Sequence, residues 1–293
     1  MSTINVNNVL PESFGTVNIN GANVQGGGST VYLADASMPS TNQSVIVGAV
    51  AAPGLSGDSN VAIGYASMND ATTASGNVCV GAGSGQSLTD GTGNTLIGNG
   101  SGNNIINPVP FSSGFMNTCV GNSSGSNITS GYLNTFIGHG TGTLTSNITG
   151  YNLTCIGQSS SPSANNAINE ITLGDTQINV LRCNTTSITS LSDARDKKEI
   201  TELSAGLDFV KTLKPVEFVW DDRDEKGKHD IKDFGFIAQD LKKSQEDANL
   251  ADTLKLVYES NPEKLEASYG KLIPILVKAI QELSEEVKQL KNK

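Results

Sequence analysis

Between about Ser44 and Gly174 the chain repeats one five-residue pattern: a polar residue, three apolar or β-branched residues, then glycine. It reads NVAIG (60–64), NVCVG (77–81), NTLIG (94–98), NTCVG (117–121) and NTFIG (134–138), with looser copies SVIVG (44–48), LTCIG (153–157) and EITLG (170–174). The closing glycines, Gly48, Gly64, Gly81, Gly98, Gly121, Gly138, Gly157 and Gly174, lie 16, 17, 17, 23, 17, 19 and 17 residues apart. A unit of 17 residues that tolerates insertions predicts stacked supersecondary units, each a very short strand followed by a Gly/Ser/Asn turn. One such unit cannot bury a face alone, whereas stacked rungs, or several chains wrapped around one axis, can. Ala62, Cys79, Leu96, Cys119, Phe136 and Cys155 share one slot, and Val or Ile follows each. Strand alternation sends one set inward and the other outward or into a neighbouring chain.

After about Leu191 the pattern changes to that of a compact α+β domain. ELSAGLDFVKTL (202–213) places Leu203, Leu207, Val210 and Leu213 at helical spacing, and Pro215 stops the helix. VEFVW (216–220) alternates Val216, Phe218 and Trp220 as a strand, DDRDEKGKHD (221–230) is a charged turn, and DFGFIAQDL (233–241) is a second strand leading into a helix. Ile273, Leu276, Ile280, Leu283, Val287 and Leu290 alternate three and four apart, a heptad seam with β-branched residues at a and Leu at d. Fewer than three heptads are too short to hold alone, so this helix is expected to pack on something else as well. The a/d choice by itself leans towards two strands. Ahead of the repeats, TVNING (16–21) and STVYLADASM (29–38) alternate like short strands around three glycines at 26–28.

Charge sharpens the division. The first 191 residues hold seven acids (Glu12, Asp35, Asp58, Asp70, Asp90, Glu170 and Asp175) and one base, Arg182; the last 102 hold 22 acids and 18 bases. A body with one cation has no means of gripping phosphate, which argues against nucleic acid as a partner. MSTINVNNVL lacks the basic start and apolar run of a secretory signal, and no stretch approaches the roughly 20 apolar residues of a membrane span. The reading is a soluble chain made in a cytoplasm and not inserted in a membrane. Among Cys79, Cys119, Cys155 and Cys183 none shows zinc-site pairing, and three occupy the repeat slot as small buried residues. His139 follows a repeat glycine; three copies around a threefold axis would make a metal site, but an exposed turn residue is the plainer reading. His229 lies in a charged run and reads as a solvated turn residue. No cofactor or metal is expected. The insertion NNIINPVPFSSGF (103–115) reads as a surface loop.

The repeats at 44–174 resemble the head repeats of YadA-type trimeric autotransporter adhesins, which implies a parallel β-roll with three chains side by side. The adhesins' signal peptide and anchoring barrel are not visible, so only the architecture is carried over. The ordered series SDARDKKEI (192–200), AGLDFVKTLKPVEFVW (205–220), GFIAQDL (235–241) and YGKLIPILVKAIQEL (269–283) resembles the C-terminal intramolecular chaperone domain of phage tail fibres and endosialidase tailspikes. In that family the domain trimerises, brings three β-stranded bodies into register and cuts itself off. Its Ser-Asp-x-Arg-x-Lys motif maps onto Ser192, Asp193, Arg195 and Lys197. The resemblance implies Ser192 as nucleophile, Lys197 as general base and Leu191–Ser192 as the bond cut.

The chemistry is sound: a serine hydroxyl needs a base, and lysine serves when burial or neighbouring cations such as Arg195 and Lys198 lower its pKa. Backbone N–H groups near the start of the following segment are candidate oxyanion donors. On one regular helix, however, residues five apart lie about 140° apart. The dyad therefore requires an irregular turn or a lysine from a neighbouring chain. The alternative is that Ser192 or Asp193 N-caps a helix.

The expected architecture is mainly β. A segment at 1–43 attaches to the virion or forms β structure. A homotrimeric fibre body of short-strand repeats spans 44–190 as a β-roll or interleaved trimer. An α+β chaperone and autoprotease domain spans 191–293 and ends in a coiled-coil helix. The expected protein is a virion fibre or spike assembled in the host cytoplasm. Its expected partners are its own copies, other tail or baseplate proteins, and a host-surface glycan or protein. A polysaccharide-degrading spike would need clustered carboxylates, and the body's seven acids are scattered. Membrane-bound transcription regulators that share the domain would need a basic region and a membrane span.

Overall fold

A computed structural model describes residues 44–106, 115–143, 147–184, 188–221, 223 and 228–293. The expected strands before Ser44, most of the insertion after Ile106 and the middle of the charged turn at 221–230 lie outside these residues. The chain forms two compact units, one ending at Asp175 and one beginning at Thr176.

In the first unit the repeats become strands β1 (Val45–Val47), β2 (Val61–Ile63), β3 (Val78–Val80), β4 (Thr95–Ile97), β5 (Thr118–Val120), β6 (Thr135–Ile137), β7 (Tyr151–Ile156) and β8 (Ile168–Leu173). They pair in parallel and in chain order, each with the next, giving a β-solenoid-like body. Register never slips: Ala62, Cys79, Leu96, Cys119, Phe136 and Cys155 sit opposite one another from coil to coil, even across the insertion between β4 and β5. That file is buried, and Ala71, Leu88, Ile105 and Ile128 on the returning stretch of the coils are buried against it. The following file, including Ile63, Ile97, Ile137 and Ile156, stays 37–42% exposed on the outer face. Burial pushes the Cys79 and Cys155 thiols up to about 12 and raises Cys119 as well. These are inert packing residues, whereas Cys183 is exposed. His139 is exposed at its turn.

Two polar ladders hold the coils. The first residue of the signature, Asn60, Asn77, Asn94, Asn117 or Asn134, is buried. Each side-chain Oδ1 accepts the backbone N–H of the next coil, from Asn60 taking Asn77 N at 3.1 Å to Asn134 taking Leu153 N at 3.0 Å. Buried hydroxyls of Ser67, Ser84, Ser101 and Ser124 donate to the carbonyls of Cys79, Leu96, Cys119 and Phe136 at 2.7–3.0 Å. Bonded burial of this kind avoids the penalty of an unsatisfied interior group. The closing glycines make the stacking possible: Gly98 has φ +138, and a Cβ there would lie 2.2 Å from the Gly121 carbonyl oxygen.

The second unit contains α1 (Leu207–Val210), the antiparallel pair β9 (Pro215–Asp221) and β10 (His229–Phe236), α2 (Ala238–Asp247), α3 (Ala251–Leu254), the short pair β11 (Val257–Tyr258) and β12 (Glu266–Ala267), and α4 (Leu272–Lys291). The helix expected over 202–213 shrinks to one turn because it starts only after Gly206. Ala205 and Phe209 are buried there, while Leu203, Val210 and Leu213 pack from the margin. His229 is not in the turn: it opens β10, with Nδ1 3.2 Å from Asp221 Oδ1. On α4, Leu272 and Ile275 pack into the domain core and Ala279 is also buried. The predicted seam faces away and is bare: Ile273, Ile280 and Leu290 are 63–68% exposed and Leu276, Leu283 and Val287 42–48%. Among the described residues nothing covers this file. Pro274 sits in the first turn of α4, where no intrahelical N–H bond is lost.

The glycine geometry yields a paired expectation. Gly98→Ala drives a Cβ into backbone and blocks coil stacking. Gly100→Ala meets nothing nearer than Ser123 Oγ at 3.9 Å and costs only the left-handed backbone strain of about 1–2 kcal/mol. Thermal unfolding followed by circular dichroism should separate the two variants widely; equal midpoints would contradict the stacking contact.

Candidate functional site

The residues from Ile188 to Glu202 are all exposed, Leu191 fully so, and the first buried side chain after them is Ala205. Within this stretch the chain tightens into a single 3-10 turn at Ala194–Asp196, flanked by extended residues Asp193 (φ −68, ψ 135) and Lys197 (φ −126, ψ 145). Asp193 explains the turn. Its Oδ1 accepts the Arg195 backbone N–H at 2.9 Å, the N-cap geometry that aspartate favours. The same carboxylate receives Arg195 Nε at 3.0 Å and Nη2 at 2.6 Å. The Arg195 guanidinium, and secondly its backbone N–H, hold the Asp193 carboxyl below its ordinary 3.8.

The turn brings together the two residues that a regular helix would separate. Because the backbone is extended on both sides of one tight turn, the Lys197 side chain runs back over it. Its Nζ donates to Ser192 Oγ at 2.5 Å and approaches the Ser192 carbonyl oxygen at 3.4 Å. The irregular turn is thus the geometry present, and the contact lies within one chain. Asp193 caps the turn, and Ser192 lies in contact with Lys197. Arg195, expected to lend positive charge to Lys197, is turned onto Asp193 instead. Glu199 leaves the turn at φ +55, a left-handed conformation rare for a residue with a side chain.

What the arrangement can do follows from the atoms. A hydroxyl beside a lysine nitrogen, in the residue immediately after an exposed peptide bond, can attack that bond once the nitrogen is unprotonated. Deprotonation of lysine requires burial or nearby cations, and a single chain leaves Lys197 open to water.

Elsewhere, several described acids of the body have side-chain partners, Asp70 with Asn69 and Asp90 with Thr89 among them. Glu170 accepts from Ser163 N at 2.7 Å and Ser163 Oγ at 2.6 Å. Among the described residues there is no group of three or more His, Cys, Asp or Glu suited to a metal, and no helix is long and apolar enough to cross a membrane.

Asp193 supplies a pH test. A depressed carboxyl pKa stabilises the turn above the unfolded value, and that contribution is lost as pH falls through the folded value. In an NMR titration the Asp193 carboxyl should titrate below 3.8 and move up in Arg195→Ala, because Arg195 is the main cause of the shift. No change between the two proteins would rule out the pairing.

Comparison with known families gives one match: residues 192–250 fit the family described as chaperone of endosialidase, a family designated as a peptidase. The matched segment opens at Ser192 and takes in the 3-10 turn, α1, the β9–β10 pair and α2; α4 lies beyond it. Neither curated proteins nor solved structures yield a match.

Proposed function

We propose that the chain is the subunit of a homotrimeric viral tail fibre or spike whose C-terminal domain aligns three bodies and then cuts the Leu191–Ser192 bond. The observation that carries this reading is the 2.5 Å contact of Lys197 Nζ with Ser192 Oγ at the first residue of the matched chaperone segment. In the proposed reaction Ser192 Oγ attacks the Leu191 carbonyl carbon, and the Leu191–Ser192 C–N bond breaks. The acyl group passes from nitrogen to oxygen as an ester. Lys197, entering neutral, takes the hydroxyl proton and gives it to the departing Ser192 amine. Water then hydrolyses the ester, which releases a Leu191 carboxylate and a new N-terminus at Ser192. Asp193 and Arg195 hold the turn and touch no reacting atom.

Assembly supplies what one chain lacks. The exposed seam of α4 has six large apolar residues, each worth roughly 1.5–3 kcal/mol if fully buried. Two further copies are the occupants assigned to it. Their approach is also the assigned source of burial for Lys197, so that cleavage waits for association. The body needs such help because coils of one kind pair almost as well one rung out of step. Removing the domain afterwards closes the reverse path, a kinetic form of stability. Contact with a host-surface glycan or protein and with other tail or baseplate proteins belongs to the same reading. It falls to the loops of a stiff body. A polysaccharide-degrading spike would need clustered carboxylates, and Glu170 is engaged by Ser163.

Expressed whole, the protein should give a fragment beginning at Ser192, read by denaturing gel and mass. Ser192→Ala and Lys197→Ala should stay intact as trimers. An uncleaved wild-type trimer would overturn the proposed reaction. Separately, Ile280→Asp places a charge in the seam and should abolish both trimer and cleavage by at least tenfold, checked by light scattering and gel. Cleavage at the normal rate by a monomeric Ile280→Asp chain would show that assembly does not gate the reaction.

A further inference from the structure

The turn at Ser192–Lys197 is exposed, yet the chain following it is tied to α4 at one place. Helix α1 begins after Gly206, which has no side chain to cap it. The cap comes from another element: Glu282 of α4 accepts the Leu207 backbone N–H through Oε2 at 2.6 Å. A Cβ on Gly206 would lie 2.2 Å from Glu282 Oε2 and 2.5 Å from Oε1, so glycine is what lets the carboxylate approach. One turn earlier on α4, Lys278 stands 3.7 Å from Glu282 Oε1 and 3.4 Å from Glu202 Oε2. Glu202 lies between the turn and the first buried residue, Ala205. Neither Lys278 nor Glu282 belongs to the exposed seam or to the buried file of Leu272, Ile275 and Ala279.

We propose that Glu282 is a positioning residue for the cleavage, holding the segment that carries Ser192 and Lys197 against the helix through which the copies assemble. This rests on the proposed self-cleavage. Association through the seam fixes α4 relative to the neighbouring copies. The bonds from Glu282 to Leu207 and from Lys278 to Glu202 carry that placement back along the chain towards the turn. A charged carboxylate on a backbone N–H is the strong kind of hydrogen bond, and it closes a link between residues 75 apart in sequence. Glutamine keeps an acceptor at the same reach and loses only the charge.

The test uses the full chain made by cell-free synthesis, with trimer followed on native gels and fragment on denaturing gels over time. Glu282→Ala should form trimer to the wild-type extent while its cleavage rate per trimer falls at least tenfold. Glu282→Gln should recover most of that rate. Gly206→Ala, which displaces the carboxylate without altering α4, should slow cleavage similarly. The double variant Gly206→Ala/Glu282→Ala should be no slower than the slower single one, since both remove one contact. Wild-type cleavage rates in Glu282→Ala trimers would overturn the positioning role and leave the self-cleavage reading intact. Loss of trimer in parallel with cleavage, or additive effects in the double variant, would reduce Glu282 to a stabilising residue and also overturn it. An uncleaved wild-type trimer would overturn both readings together.

Discussion

No single coil of the body can bury its own apolar residue, and this constraint orders everything in the first unit. A three-residue strand has one inward side chain, and water is kept from it by the coils above and below together with the returning stretches, Leu88 and Ile105 among them. The neighbours must therefore lie in register, and three devices enforce it: a glycine whose carbonyl leaves no space for a Cβ, an asparagine that binds the next coil, and a serine that reaches across to a strand carbonyl. Size matters less than registration. Phe136 and Ala62 occupy the same file in the same register, although one side chain is far larger than the other.

The second unit is organised by helix α4, which has two apolar files side by side. Leu272 and Ile275 finish the core of the domain, and Ala279 is buried on the same side of the helix. The adjacent file is left bare, with Ile280 at 66% exposure. An exposed apolar file of this length is the kind of patch that marks an interaction surface. Ser192 and Lys197 touch one another but stand in water. In the proposed reading, association supplies the second surface that both would need.

Much of this is visible in the sequence, and the gaps have physical reasons. The eight recurring glycines mark the eight described strands of the body, because most coils keep to a unit of about 17 residues. The asparagine ladder goes unnoticed, since a polar residue before a strand looks like part of a turn; its signal is the recurrence of Asn in five copies at one position. Helix α1 is overestimated because Leu203 and Leu213 keep helical spacing while lying outside the helix, and Gly206 is the residue that should have shortened it. Heptad spacing finds the bare file of α4 but not the buried one, whose apolar residues differ little in kind. The Ser192–Lys197 contact depends on φ and ψ at Asp193 and Lys197, which composition does not specify. Glu282 resembles any surface charge of a coiled-coil helix until Leu207 is placed beside it.

The asparagine ladder and the parallel strand bonds run in one direction, along the stack of coils. A load pulling the two ends of the body apart would therefore act head-on against these bonds rather than sideways. Coils would then peel away singly, and the yield force would be that of the weakest rung however many rungs were added. Length alone cannot toughen such a rod. Only lateral attachment to parallel rods lets several rungs share a tug, and the file of Ile63, Ile97, Ile137 and Ile156 along the outer face is where such attachment has apolar surface to use.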